Sequence, residues 1–443
     1  MLKTFPKGGV HPEEGKYSAN SAIEILSLPK TVSIPIAQHI GAPSKAIVAK
    51  GDKVKVGDVI AESAGFVSAN IHSSVSGTVA KIDNVLDSSG YKRPCIIINV
   101  EGDEWNETID RTTELKKEIS LTDKEIINRI NESGIVGLGG ATFPSHVKLS
   151  VPDGKKIDAL VINGVECEPY LTSDHRLMLE KAEEMLIGIK ILMKALGVNS
   201  ALIGIENNKP DAIAHLKSLA QNYPGVEVHA LKVQYPQGGE KQLIKALINR
   251  EVPSGGLPLD VGAVVHNVGT AVAVYEAVQK NKPLFERVVT VTGKSLSKPS
   301  NFMVRIGTPV SSLIEAAGGL PQDTGKVING GPMMGKAVSS LEVPVVKGAS
   351  GILIMPKELA VRKKESNCIR CAKCVSVCPQ GLEPYLLSKL TRIENNDKLE
   401  ANAVMDCIEC GSCAYTCPAG LPLLDYIRLG KSRVSQIIRS RKQ

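Results

Sequence analysis

Aromatic side chains make up only 3% of the 443 residues, with a single tryptophan, Trp105. Core packing must therefore rest on Val, Ile, Leu and Ala, and a hydrophobic content of 43% is ample for that. Long apolar runs are also missing. The best candidate, "VGAVVHNVGTAVAVYEAV", is broken by His266 and Asn267. It falls short of the ~18 uninterrupted apolar residues expected of a membrane span. The N-terminus, "MLKTFPKGGVHPEEGKYS", has no apolar signal-peptide core. A cytosolic chain, soluble or peripheral to a membrane, is expected. Neither sign of charge dominates: the net charge of +7 is mild and the positive charges are spread out, so no nucleic-acid partner is expected. The end of the chain is the exception. From Arg428 onward, "RLGKSRVSQIIRSRKQ" has six basic residues and no acidic one. It reads as a solvated helix or frayed tail, or as a patch for an anionic membrane surface or acidic partner.

Cysteine is not scattered. Eight of the ten fall within fifty residues, unlike the disulfide framework of a small secreted domain. "CIRCAKCVSVCPQG" begins at Cys368, and "CIECGSCAYTCPAG" begins at Cys407. Each reads C-x2-C-x2-C-x3-C-P, the bacterial ferredoxin spacing in which the fourth cysteine serves the other cluster. Cys368, Cys371, Cys374 and Cys417 are thus expected to hold one 4Fe-4S cluster, and Cys407, Cys410, Cys413 and Cys378 the other. A pair of structural zinc sites also uses C-x2-C, but this crowding and the repeated Cys-Pro suit zinc poorly. The segment between the blocks reads as helix.

From about residue 120 to 290, short β-branched runs alternate with helical patterns. "DALVING" (158–164), "SALIGIE" (200–206) and "VEVHALKV" (226–233) read as strands. Helices are expected from Asp174 to Leu196, stopped by Gly197, and from Pro210 to Gln221, with Ser173 or Asp174 as an N-cap. This alternation implies a buried parallel sheet, with ligands at the carboxyl ends of its strands. Two loops stand out. "GIVGLGGATFPSHVK" (134–148) lets backbone approach a ligand closely and present N–H groups to a phosphate, or is simply a flexible turn. "NGVECEPY" (163–170) sets two carboxylates beside an amide, suited to a ribose or ring edge, or to a solvated turn.

Taken together, "GLGGATFPSHVK", "NGVECEP", "YPQGGEKQ" and "HNVGTAVAV" resemble, in order, four motifs of the flavin- and NADH-binding subunit of respiratory complex I. The whole chain, from "FPKGGVHPEEGKYSAN" to the doubled cysteine block, is similar to the C subunits of Rnf-type ferredoxin:NAD oxidoreductases. The resemblance implies an FMN site built from Gly137, Gly139, Gly140, Lys148, Asn163, Glu166, Tyr235, Gly238, Asn267 and Thr270. It places Phe143, Glu168 and Glu240 where a nicotinamide nucleotide contacts the protein, with the two glutamates as catalytic candidates. Thr142 stands where the family has a glycine, Val165 where it has an aspartate, and Gly239 and Gly269 where it has glutamates.

The expected architecture is multidomain α/β. Residues 1–115 include a lipoyl/biotinyl-like β-barrel, read from "VKVGD" and "VSGTV". Its tip, "ESAGFVSAN", has no lysine to modify, so the domain is expected to be structural or docking. Residues 116–284 form the complex-I-like α/β domain with its parallel sheet. Residues 285–350 resemble a small β-grasp module of the SLBB type, and 358–426 a two-cluster ferredoxin-like helical domain, followed by the basic tail 427–443. The resemblance implies two 4Fe-4S clusters, non-covalent FMN and NAD(H). It implies an electron-transfer subunit bound peripherally at the cytoplasmic face of the membrane, with integral membrane and ferredoxin-like subunits as partners and flow coupled to Na+ or H+. The alternatives are a soluble NADH-oxidising input subunit of another reductase, or a flavin-less iron–sulfur relay.

Overall fold

The computed structural model describes residues 2–441. Near the N-terminus two antiparallel sheets face each other. One pairs Thr31–Pro35, Lys92–Gly102, Ser76–Leu86 and Lys53–Val54; the other pairs Lys45–Ala46, Val59–Glu62 and Ile71–His72. Alternate residues point inward, as a strand's period of two requires, and Val32, Ile34, Ile96 and Ile98 meet Ile60 and Ile71 in the core. The turn at the tip leaves Ala64, Gly65 and Phe66 exposed yet touches the central domain. His146 Nε2 donates to the Phe66 carbonyl at 3.0 Å, and the two rings pack edge to face. The tip therefore docks on the central domain.

The central domain is built on four parallel strands in the spatial order Val226–Leu231, Ala201–Glu206, Ala159–Asn163, Ala263–Asn267. The first three are the runs expected from β-branched content. The fourth lies in the apolar run that His266 and Asn267 interrupt. Both faces are covered, as a parallel sheet demands. Leu160 and Ile162 pack with helices Ala182–Leu196 and Val268–Lys280. Val161 and Val265 face the other way, onto helix Glu240–Ile248. Gly188 allows the two helices on the first face to touch, since a Cβ there would lie 1.9 Å from the Ala271 carbonyl oxygen. The single helix expected from 174 to 196 is two, Ser173–Glu180 and Ala182–Leu196, broken at Lys181.

The third unit is a six-stranded mixed sheet in the order Ile23–Ile25, Ser300–Arg305, Glu286–Thr292, Gly351–Pro356, Thr324–Asn329, Lys336–Ala337. Helix Val310–Ala316 packs over it through Leu313 and Ile314. Its outermost strand, Ile23–Ile25, comes from near the N-terminus and runs parallel to Ser300–Arg305.

The last unit is helical. Between the two cysteine blocks lie two helices, Pro384–Arg392 and Asn396–Ala401. Leu423–Ser440 then forms one helix whose Leu423, Ile427 and Val434 are buried against Leu387 and Leu399. The tail is therefore packed along the described residues, and much of its charge is neutralised. Arg428 and Lys431 pair with Glu409, Arg433 with Glu394, and Arg441 with Glu400. An N-terminal strap joins this unit to the central domain. Lys3 pairs with Leu231 and Val10 with Tyr235, and the Gly9 N–H donates to the Val377 carbonyl at 2.9 Å.

Candidate functional site

The strand order changes direction at Ala159–Asn163: the chain first steps outward to Ala201–Glu206 and Val226–Leu231, then returns through helix Glu240–Ile248 on the opposite face to place Ala263–Asn267 on its other side. Such a switch point opens a crevice at the carboxyl ends of the strands. Asn163 and Asn267 lie side by side there. Asn267 caps helix Val268–Lys280, accepting the Gly269 N–H at 2.8 Å, while its Nδ2 donates to Asp174 at 2.7 Å. Asn163 Nδ2 donates to the Gly238 carbonyl at 2.9 Å. The glycine-rich loop closes one side. Its Leu138 N–H donates to Thr270 Oγ1 at 2.9 Å, and Gly137 N–H to the Phe143 carbonyl at 3.0 Å. A Cβ at Gly139 would come within 2.6 Å of Asn267 Nδ2, whereas at Gly140 it would meet nothing within 4 Å. One glycine is thus required by the neighbouring side chain, and the next faces open space. Lys148 donates to Glu240 at 2.9 Å and to the Val265 carbonyl at 3.0 Å.

Glu166 does not point freely outward. Its carboxylate accepts the backbone N–H groups of Asp174 and His175 at 2.8 and 3.1 Å, and so caps helix Ser173–Glu180. The expected N-cap from Ser173 or Asp174 is corrected: Thr172 holds that position without a side-chain bond, and the carboxylate of Glu166 replaces it. Glu168 is held as well. It accepts the Met333 and Met334 N–H groups at 2.6 and 3.0 Å, and burial pushes its carboxyl up.

Sequence reasoning passed over three charged residues here. Lys16 donates to the carbonyls of Glu166, Glu168 and Leu171 at 2.9, 3.0 and 2.7 Å, and burial lowers its pKa. Lys209 donates to the Val165 carbonyl at 2.8 Å. These two ammonium groups hold the 165–171 loop by its backbone. Asp174, beside Glu166, is pushed up to about 7, first by burial and then by that neighbouring carboxylate.

The donor set suits a polar aromatic ligand with a phosphate tail. It combines a glycine loop with open space, a lysine, and paired asparagines at a switch point. Two buried polar atoms on adjoining elements, Ser145 Oγ and His266 Nε2, also have no partner. Another groove, of about 660 Å3, lies between the barrel and the central domain beside Lys53, Arg129 and Asn281. None of the expected flavin residues lines it.

Tyr235 leads from the crevice to the cysteines. It is 2% exposed, and its hydroxyl donates to the Cys410 carbonyl at 2.8 Å. The Cys167 sulfur packs in the same cluster of side chains and accepts the Gly238 N–H at 3.3 Å. Beyond Tyr235, Cys378 of the first block joins Cys407, Cys410 and Cys413 of the second around one cavity, closed by Leu424 and Ile427. Burial raises the thiols of Cys410 and Cys413, and Cys378 adds to both. Cys374 is likewise raised by burial and by Cys417. Each block thus sends its fourth cysteine to the other. Cys368 and Cys371 are exposed, while Cys410, Cys413 and Cys417 are buried.

Four family matches follow the chain in order. Residues 3–103 match the RnfC barrel sandwich hybrid domain, 130–276 the Nuo51 FMN-binding domain, 288–337 the SLBB domain and 360–418 the 4Fe-4S dicluster domain. The C subunit of the proton-translocating ferredoxin:NAD(+) oxidoreductase complex of Clostridium ljungdahlii is 50% identical over 392 residues, 88% of this chain and 85% of that one. The C subunit of the Na(+)-translocating complex of Acetobacterium woodii is 46% identical over 97% of this chain and 96% of its own. The C subunit of the ion-translocating oxidoreductase complex of Rhodobacter capsulatus is 42% identical over 98% of this chain and 84% of its own. Among solved structures, a chain of an NAD+-reducing nickel–iron hydrogenase superposes with a TM-score of 0.50 at 17% identity, covering 72% of this chain and 66% of that one. That likeness speaks for the fold alone. Identity of the order found in the relatives, spread along nearly the whole length of both chains, leads to one assignment: the protein belongs to the family of C subunits of ferredoxin:NAD(+) oxidoreductase complexes, electron-transfer subunits with FMN and iron–sulfur clusters.

Proposed function

We propose that this chain exchanges hydride between NAD(H) and FMN in the crevice between Asn163 and Asn267, and single electrons between the crevice and two 4Fe-4S clusters. It does so within a membrane-bound complex that couples the flow to Na+ or H+ translocation. The observation that carries this reading is the hydrogen bond from Tyr235 to Cys410, which joins the crevice to a cluster loop through buried protein. Bound flavin would supply the conversion between a two-electron hydride donor and one-electron acceptors.

The chain's own residues position the parts. Gly139 and Gly140 let the loop come close to the phosphate end, where Lys148 adds a positive charge. Asn163 and Asn267 offer amides to the ring. Glu166, Lys16 and Lys209 hold the 165–171 loop rigid beneath it. Glu240, 42% exposed on the rim, is placed to meet the arriving nucleotide with Phe143, and the buried Glu168 fixes the Met333–Met334 turn beside the same opening. The cluster of Cys378, Cys407, Cys410 and Cys413 stands nearer the crevice, because Tyr235 contacts its loop. The cluster of Cys368, Cys371, Cys374 and Cys417 is the outer one.

The complexes of the Clostridium and Acetobacterium relatives by name translocate protons or sodium ions. We assign the ion path to integral membrane partners, since no helix among the described residues is long and apolar enough to cross a membrane. The chain would sit against those partners at the cytoplasmic face. The test is Gly139→Val. Its side chain would collide with Asn267, whose Nδ2 lies 2.6 Å from the Cβ position. The purified variant should keep its iron, lose its flavin and lose NADH–ferricyanide activity. Full FMN with normal activity would overturn the crevice assignment.

A further inference from the structure

The third unit supplies none of the expected cofactor ligands, yet one of its turns reaches both the crevice and the cysteine domain. This turn, "GGPMMG" (330–335), follows strand Thr324–Asn329. The buried carboxylate of Glu168 accepts its Met333 and Met334 N–H groups at 2.6 and 3.0 Å. A Cβ at Gly331 would fall 2.1 Å from Glu168 Cγ, so the turn fits closely on that side. On the other side it presses on the second cysteine block. A Cβ at Gly411, between Cys410 and Cys413, would lie 2.8 Å from the Met333 carbonyl oxygen. Gly411 belongs to the wall of the cavity that Cys378, Cys407, Cys410 and Cys413 surround. The half-buried Met333 side chain joins one apolar cluster with Val10 of the strap, Tyr235 and Cys167 of the central domain, and Cys410 and Ile408 of the cysteine domain.

We propose that Met333 is a positioning residue for electron transfer: it closes the apolar seam over the inner cluster's loop, keeps water out, and so holds that cluster's reduction potential down. The proposal rests on the cluster assignment given under Proposed function. One-electron reduction makes such a cluster more negative, and a dry apolar surrounding disfavours the added charge. Solvent exposure is accordingly one of the factors that set iron–sulfur potentials. An unbranched thioether suits an irregular seam where several units meet. The outer cluster differs in both respects. Two of its ligands, Cys368 and Cys371, are exposed, and none of its cysteines belongs to the apolar cluster of Met333. It therefore serves as an internal reference.

The experiment is a redox titration of the purified holoprotein followed by electron paramagnetic resonance, the inner signal being the one that Cys407→Ala removes. Met333→Ser should make the ratio of reduced to oxidised inner cluster at a fixed potential about tenfold higher, an upward midpoint shift of about 59 mV for one electron. The outer midpoint, the iron and the flavin should match the wild type. Pulsed resonance in D2O should show deeper deuterium modulation of the inner signal alone. Met333→Leu should keep the wild-type values. An unmoved inner midpoint, both midpoints moving together, or an equal shift in Met333→Leu would overturn the proposal. Should Met333→Ser lose the inner cluster, Met333→Ala decides by the same titration and modulation. Wild-type protein holding fewer than two clusters would overturn the cluster reading itself, and the iron count shows that before any variant is titrated.

Discussion

Tyr235 is the residue at which the crevice and the cysteine domain meet. Its hydroxyl is buried and satisfied by a single carbonyl, so Tyr235→Phe removes one bond, a net loss of about 1 kcal/mol. The fold should persist with little change in Tm. Stopped-flow spectroscopy should show flavin reduction by NADH unchanged and the following cluster reduction slowed several-fold; equal rates for both would deny the tyrosine its bridging role. Asp174 gives a second prediction. Its carboxyl rises to about 7 on folding, from about 3.9 in an unfolded chain. An acid raised in this way binds its proton more tightly in the folded state. Its contribution to stability is full below about pH 4 and is lost as the pH rises through about 7. Asp174→Asn keeps an oxygen for Asn267 and should flatten Tm across that window, as thermal scans at several pH values would reveal. Tyr235, Asn163 and the cysteines were legible because each sits in a spaced motif. Asp174, Lys16 and Lys209 were not. Beside a helix start Asp174 looked like a cap, and Lys16 sits in a polar string that reads as solvated until the carbonyls it gathers are brought together.

Among elements, three of the four strands of the central sheet were readable because burial on both faces leaves an unbroken β-branched signature; Ala263–Asn267 was not, since His266 and Asn267 interrupt its apolar run. The break at Lys181 was not, since the apolar spacing continues across it. The last helix was misleading for a different reason. From Arg428 on, no acidic residue stands among its basic ones, and their partners Glu394, Glu400 and Glu409 come from elsewhere in the domain. The N-terminal strap left no trace in the sequence, because its partners are more than two hundred residues away. It is nonetheless tightly fitted. Gly8 has φ +69°, and a Cβ there would lie 2.6 Å from the Cys378 carbonyl carbon. Gly8→Val should push the strap off the cysteine domain. Iron content should hold, proteolysis should quicken between residues 361 and 367, and electrons should pass more slowly from crevice to clusters. Unaltered proteolysis would mean that the strap does not hold the domain in place.

At the scale of the molecule, Cys378 lies with the cysteines of the second block and Cys417 beside Cys374, so the proposed ligation would tie the two cysteine blocks into one body. Cys417→Ala should therefore damage the cluster of Cys368, Cys371 and Cys374 and spare that of its own block. Electron paramagnetic resonance of the reduced variant would show which signal disappears, and loss of only the second-block cluster would refute the exchange. The spacing points to this wiring but is silent on which block lies nearer the crevice, because the two blocks are alike in sequence and it is the bond from Tyr235 to Cys410 that tells them apart. The same architecture governs how the protein is made. Lys3 pairs with Leu231, Val10 with Tyr235 and Ile23 with Asn301, while Gly9 bonds to Val377. The strap leaves the ribosome long before any of these partners exists, and its last contact forms on a loop that carries a cluster ligand. Synthesis of the cysteine domain must be finished before the strap can close over it, so a seated strap marks a chain whose first residues have met its last domain.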